Sequence, residues 1–89
     1  MYKWVITKDH ISRANERNFK GHTGGTGETD QNPQKFSLYD DDEICYAEGM
    51  LWATNDDHDK TESLFAPLRW AMRNWGCTDI KIKGESIFN

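Results

Sequence analysis

The run Asn55-Asp56-Asp57-His58-Asp59 is the densest group of metal-capable side chains in this 89-residue chain. Carboxylate oxygens of this kind are what calcium or magnesium takes. An EF-hand loop beginning here would need a glycine where Lys60 stands and a bidentate glutamate where Ala66 stands. The run therefore reads as a solvated acidic loop. A hydrolytic metal site built from Asp40, Asp42 and Asp57 would require loops distant in sequence to converge. His10, His22, His58, Cys45 and Cys77 lack the paired spacings of a zinc site. A Cys45–His58 pair has the residue types of a nucleophile and its base. Cys45, however, falls inside an expected strand, where a thiol ordinarily acts as a small apolar group. Gly21 to Gly27 has the glycines of a phosphate cradle but not its Gly-Lys-Ser/Thr ending, and no strand feeds it directly. The residues point to no enzyme, no metal and no cofactor.

Binding chemistry is better represented. In the segment Phe65 to Gly76, Leu68, Ala71, Met72 and Trp75 recur at i, i+3, i+4, i+7 and form one helical face. Trp70 falls about 150° from the centre of that face, among Arg69, Arg73 and Asn74. Tryptophan and arginine are the residues most enriched at binding hot spots. Arg69, Trp70 and Arg73 are thus the first candidate contact residues, with Trp70 expected to be exposed.

Charge divides the chain. The net charge is -4, yet residues 36–60 alone hold Asp40, Asp41, Asp42, Glu43, Glu48, Asp56, Asp57 and Asp59 against Lys60. The remaining residues carry ten basic and seven acidic groups. Phosphate recognition needs a concentrated basic surface, so this composition argues against direct nucleic-acid binding. Asp40, Asp41, Asp42, Asp56, Asp57 and Asp59 instead suit a protein partner with a basic surface. A mean hydropathy of -0.90 and the shortness of every apolar run argue against a membrane. Met1 to Thr7 is too short and too strand-like for a signal peptide. The two cysteines then read as reduced thiols in a cytoplasmic protein.

Elements follow from periodicity. Residues 2–7, 35–39, 43–52 and 78–83 alternate as strands, Ser86-Ile87-Phe88 can add a short last one, and 66–75 is a helix. Pro67 suits the helix's first turn and Gly76 its stop. Gly49 suggests a bulge. Residues 20–32, rich in glycine and poor in apolar surface, read as a flexible loop. The core is expected to contain Trp4, Ile6, Phe36, Leu38, Ile44, Leu68, Met72, Ile80 and Ile82. Residues 1–89 are read as a single α+β domain, a small antiparallel β-sheet of four to five strands with one helix packed on a face.

Trp4-Val5-Ile6-Thr7-Lys8-Asp9, Phe36-Ser37-Leu38-Tyr39-Asp40-Asp41-Asp42, Phe65-Ala66-Pro67-Leu68 and Gly76-Cys77-Thr78 carry a resemblance. In this order they are similar to a family of small uncharacterised bacterial proteins. That family's pattern runs W-x-I-T-K-D, F-R-L-Y-D-D-D-G-E, Y-Y-E-G-R, F-A-P-L-D-D-F-G, A-G-C-T. The resemblance implies one small domain and lends no catalytic residue. Two departures stand out. Glu43 replaces the glycine after the three aspartates, and Arg69 and Trp70 replace two aspartates after F-A-P-L.

The expected function is a non-catalytic protein–protein interaction module. A phage or mobile-element inhibitor of a host defence system, such as an anti-CRISPR, fits its size and charge. The alternatives are an acidic nucleic-acid mimic that blocks a basic groove and a small metal-dependent hydrolase. Homodimerisation stays open.

Overall fold

The computed structural model describes residues 2–11, 19–25, 32–52 and 60–86, the first three helical residues by backbone alone. Six strands and one helix follow in the order β1 (Lys3–Asp9), β2 (Thr23–Gly25), β3 (Gln34–Tyr39), β4 (Cys45–Trp52), α1 (Lys60–Trp75), β5 (Asp79–Ile82) and β6 (Glu85–Ser86). The strands form one antiparallel sheet in the spatial order β2-β1-β4-β3-β5-β6. The fold is therefore α+β, with six strands among the described residues where four to five were expected. The unforeseen strand, β2, is only three residues long and lies in the glycine-rich stretch read as a loop. A strand so short shows no alternation to detect.

Alternation puts one row of each central strand on the helix side. Trp4 and Ile6 of β1, Phe36 and Leu38 of β3, Ala47 and Leu51 of β4, and Ile80 of β5 are buried there with Leu68 and Ala71 of α1. Each fully buried large aliphatic or Phe side chain contributes about 1.5–3 kcal/mol relative to exposure. Gly49 does sit beside a bulge, but the extra residue is on the facing strand: Ile6 pairs with Gly49 and Lys8 with Glu48, which leaves Thr7 of β1 over. A Cβ on Gly49 would run into the Val5 carbonyl and into the Phe36 ring, so the missing side chain is the space that Phe36 fills. A second slip in register lies between Leu38 and Tyr39.

The opposite face is polar. Lys35 Nζ lies 3.0 Å and His10 Nε2 2.7 Å from the Glu48 carboxylate. The Lys35 ammonium, and then the His10 ring, hold that carboxyl below the usual range. Lys3 sits over the Trp52 ring and Lys81 over Tyr39, at 5.6 and 4.4 Å from the ring centroids.

Helix α1 begins at Lys60, well before the expected residue 66. Pro67 is thus inside the helix, where it withholds the N–H that would meet the Ser63 carbonyl. Both residues are fully buried. Their burial turns the inward stripe to Ser63, Pro67, Leu68 and Ala71, about 65° round from the face read off residues 65–76. Met72 consequently lies outside, 55% exposed, contrary to expectation. Ile44, also expected inside, is 54% exposed because the Asp40–Glu43 turn occupies the chain up to the start of β4. Ile82 is half-buried. Gly76 ends the helix as expected, its N–H donating to the Met72 carbonyl at 3.2 Å.

Glu43 has φ 62°, in the left-handed region. A non-glycine residue pays roughly 1–2 kcal/mol there. Glu43→Gly should therefore raise stability by about 1 kcal/mol, less what glycine's looser unfolded chain takes back. Urea unfolding would show a higher midpoint at unchanged m. A lower midpoint would mean that the Glu43 side chain stabilises the turn by more than its backbone costs.

Candidate binding groove

The site is built outward from Trp4. Its indole is buried and lies against the backbone of β2, where a Cβ on Gly24 would come within 2.6 Å of the ring. Only glycine lets β2 pair with β1 at Trp4↔Gly24 while the ring stays in place. The preceding turn is tied down by main-chain bonds. Ile6 N–H donates to the His22 carbonyl at 2.8 Å, and Gly21 N–H donates to the Ile6 carbonyl at 2.7 Å. The Asp9 carboxylate accepts the amides of Ile11 and Phe19, at 3.1 and 2.9 Å, and so closes this excursion at both ends.

That closure delivers Phe19 and His22 to the helix. Trp70 stacks on His22 at 4.8 Å with 22° between the planes. It meets Trp4 at 5.3 Å, Phe19 at 5.2 Å and Trp75 at 4.8 Å in tilted or edge-to-face contacts. Trp70 is accordingly half-buried, not the exposed ring expected. The rotated helix moves it from the outer side to the flank, and the Phe19–His22 turn covers part of it. Trp75, placed by helical spacing on the apolar face, is half-buried and shares the cluster with Tyr46. Sequence reasoning missed Phe19 and His22. Their only signal was two rings within an otherwise polar, glycine-rich stretch.

The remaining face of Trp70 lines a groove of about 340 Å³ between β2 and α1. Trp4 and Trp70 contribute its rings, Gly24 and Gly25 its strand wall, and Ala66, Arg69, Arg73 and Asn74 its helix wall. Tyr2 completes the lining. Arg69, Trp70 and Arg73 are thus brought together. Arg69 and Arg73 are exposed, and Asn74 is held by a 2.8 Å bond from its side-chain amide to the Trp70 carbonyl. A larger groove of about 640 Å³ lies by the β5–β6 hairpin. Its lining of Glu43, Asp79, Lys81, Gly84, Glu85 and Ser86 offers no ring and no paired cations.

The aspartates do not join this groove. Asp40 Oδ1 accepts the Asp42 and Ile44 amides at 2.9 and 3.0 Å. The Ile44 amide foremost, with the Tyr46 hydroxyl and Asp42 amide, holds the Asp40 carboxyl below its usual range. Asp40 is therefore engaged within its own turn, while Asp41 and Asp42 are exposed. Asp56, Asp57 and Asp59 lie outside the described residues, as does His58. Among the described residues no three His, Cys, Asp or Glu side chains gather to hold a metal ion. Both cysteines are free. Burial, ahead of the Asp40 and Cys45 charges, pushes the Cys77 thiol up to about 12. Burial, then Glu48, raises Cys45 as well. That is the opposite of an activated nucleophile. No helix among the described residues is long and apolar enough to cross a membrane. Comparison with protein-family models, with curated proteins and with solved structures yields no match to this chain.

Two outcomes are expected. Trp70→Ala should cost about 3 kcal/mol of stability, because it opens a gap among four rings, whereas surface changes stay near ~0.5 kcal/mol. Denaturant unfolding that left Trp70→Ala at the surface value would show that the cluster does not support the fold. The depressed Asp40 carboxyl stabilises the folded chain above its unfolded pKa of about 3.9, and that contribution fades as pH falls through the lower folded value. Asp40→Asn should thus flatten the acid limb of the stability–pH curve below about pH 4. Superimposable limbs would remove Asp40 from the acid response.

Proposed function

We propose that this chain is a non-catalytic protein-interaction module that engages its partner at the groove between β2 and α1. One observation carries the reading. The Trp4–Trp70 ring pair lines a groove whose helix wall presents two exposed arginines. Aromatic rings give apolar contact at little conformational cost, and guanidinium groups give directional, charge-assisted hydrogen bonds. Such residues dominate the energetics of protein interfaces.

Arg69 and Arg73 give the groove its cationic character, and Trp4 and Trp70 its aromatic one. The exposed Asp41 and Asp42 lie apart from the groove and suit long-range steering of a partner with a basic surface. An inhibitor of a host defence system is the form of this reading that small size and net negative charge suggest.

Charge reversal tests it with little damage to the fold. Arg73→Glu should leave the unfolding midpoint within about 0.5 kcal/mol of wild type. Combined with Arg69→Ala, it should abolish retention of a partner captured from bacterial lysate by the wild-type chain. The rate of association should also fall as salt rises, since exposed charges are screened over ~8–10 Å near 0.1–0.15 M. A partner retained equally by the double variant would overturn the groove as the contact surface.

A further inference from the structure

Among the described residues, the groove's strand wall, β2, is one edge of the sheet. The bond from Ile6 N–H to the His22 carbonyl sets the phase of the β1–β2 ladder. Backbone groups in an antiparallel ladder alternate between the two sides. Gly24 therefore turns its backbone toward β1, and Thr23 turns its N–H and C=O away from it. Among the described residues no strand pairs with that outer side. Thr23 and Gly25 are exposed. The Thr23 hydroxyl is folded back to donate to the Trp4 carbonyl at 2.7 Å, and the two glycines have no side chains. Nothing from β2 itself stands in the way of an approaching main chain.

The helix wall supplies the second half of the argument. Arg73 is exposed and forms no ion pair among the described residues. It lines the same groove as the Trp70 ring and lies one helical turn from Arg69. A carboxylate complements a guanidinium in a two-bond geometry. In an added strand, side chains at i and i+2 project to the same face.

We propose that β2 accepts an extended segment of a partner protein as a further strand of the sheet. One apolar side chain of that segment packs on Trp70, and a carboxylate two residues away pairs with Arg73. The inference rests on the groove being the interaction surface, and it names what the groove takes. Main-chain pairing along Thr23 supplies affinity, and the alternate side chains supply selectivity. A nucleic acid has no amide ladder to continue the sheet, and the chain's net charge of -4 opposes a polyphosphate.

Random nonapeptides displayed on phage are selected on the intact chain and then counter-selected on Arg73→Glu. The enriched peptides should share an apolar and an acidic residue at i and i+2. Synthetic copies should bind wild type about ten-fold or more tighter than Arg73→Glu, as expected for loss of a charge-assisted bond. N-methylation at alternate backbone amides of the peptide should lower affinity by a similar factor of about ten with the protein unaltered. The Thr23 and Gly25 amide resonances should shift on binding. Peptides without an acidic residue, or ones indifferent to N-methylation that leave Thr23 unshifted, overturn strand addition. In that case a full-length partner still lost on Arg69→Ala/Arg73→Glu would leave the groove reading standing. Loss of neither peptide nor partner on charge reversal would sink both together.

Discussion

The groove depends on the contact between the Trp4 indole and the bare backbone of Gly24. Any Cβ at Gly24 would collide with the ring at 2.6 Å. The contact lets β2 lie beside β1 at full pairing distance while a large ring remains between the sheet and the helix. It thereby fixes the separation of β2 from α1, which is the width of the groove. The Asp9 carboxylate anchors the other end of the same excursion through the amides of Ile11 and Phe19. Phe19 and His22 are then held against Trp70 by main-chain geometry as well as by ring contacts. Such a cluster is rigid for its size, because each ring has few rotatable bonds and several neighbours. Rigidity of this kind suits a recognition surface, since little freedom is left to lose on association.

The polar groups that look reactive in the sequence are mostly committed to structure. The Asp40 carboxylate closes its own turn and accepts from Tyr46, and that bond to Asp40 foremost also raises the Tyr46 phenol. The Glu48 carboxylate is shared between Lys35 and His10 across three strands. Both thiols are pushed toward the protonated form by burial. The two carboxyls are thereby held in the ionised form that accepts these bonds, and the two thiols in the protonated form. The charge that remains outward is divided. Arginines line the groove, and Asp41, Asp42 and Glu43 stand at the β3–β4 turn. In the proposed interaction, cations meet the partner at the groove while anions elsewhere bias its approach.

Much of this architecture can be read from the chain alone. Alternation in Trp4-Val5-Ile6, Phe36-Ser37-Leu38 and Ile80-Lys81-Ile82 marks three strands, because a period of two is a local property of the backbone. Gly76 marks the helix end for an equally local reason. The gathering of Arg69, Trp70 and Arg73 on one exposed or flanking part of α1 also follows from helical spacing.

Tertiary packing decided the rest. The helix start, and with it the rotation of the inward stripe, rests on the burial of Ser63 and Pro67, a polar residue and a helix breaker that local rules place outside. That rotation exposes Met72 and half-buries Trp70. Strand β2 exists because β1 offers it partners and Trp4 offers it a ring. Three residues of Thr-Gly-Gly carry no strand signal of their own. The groove needs β2, the helix rotation and the Phe19–His22 turn at once. Each of the three is set by contacts between residues far apart in sequence, which local periodicity does not encode.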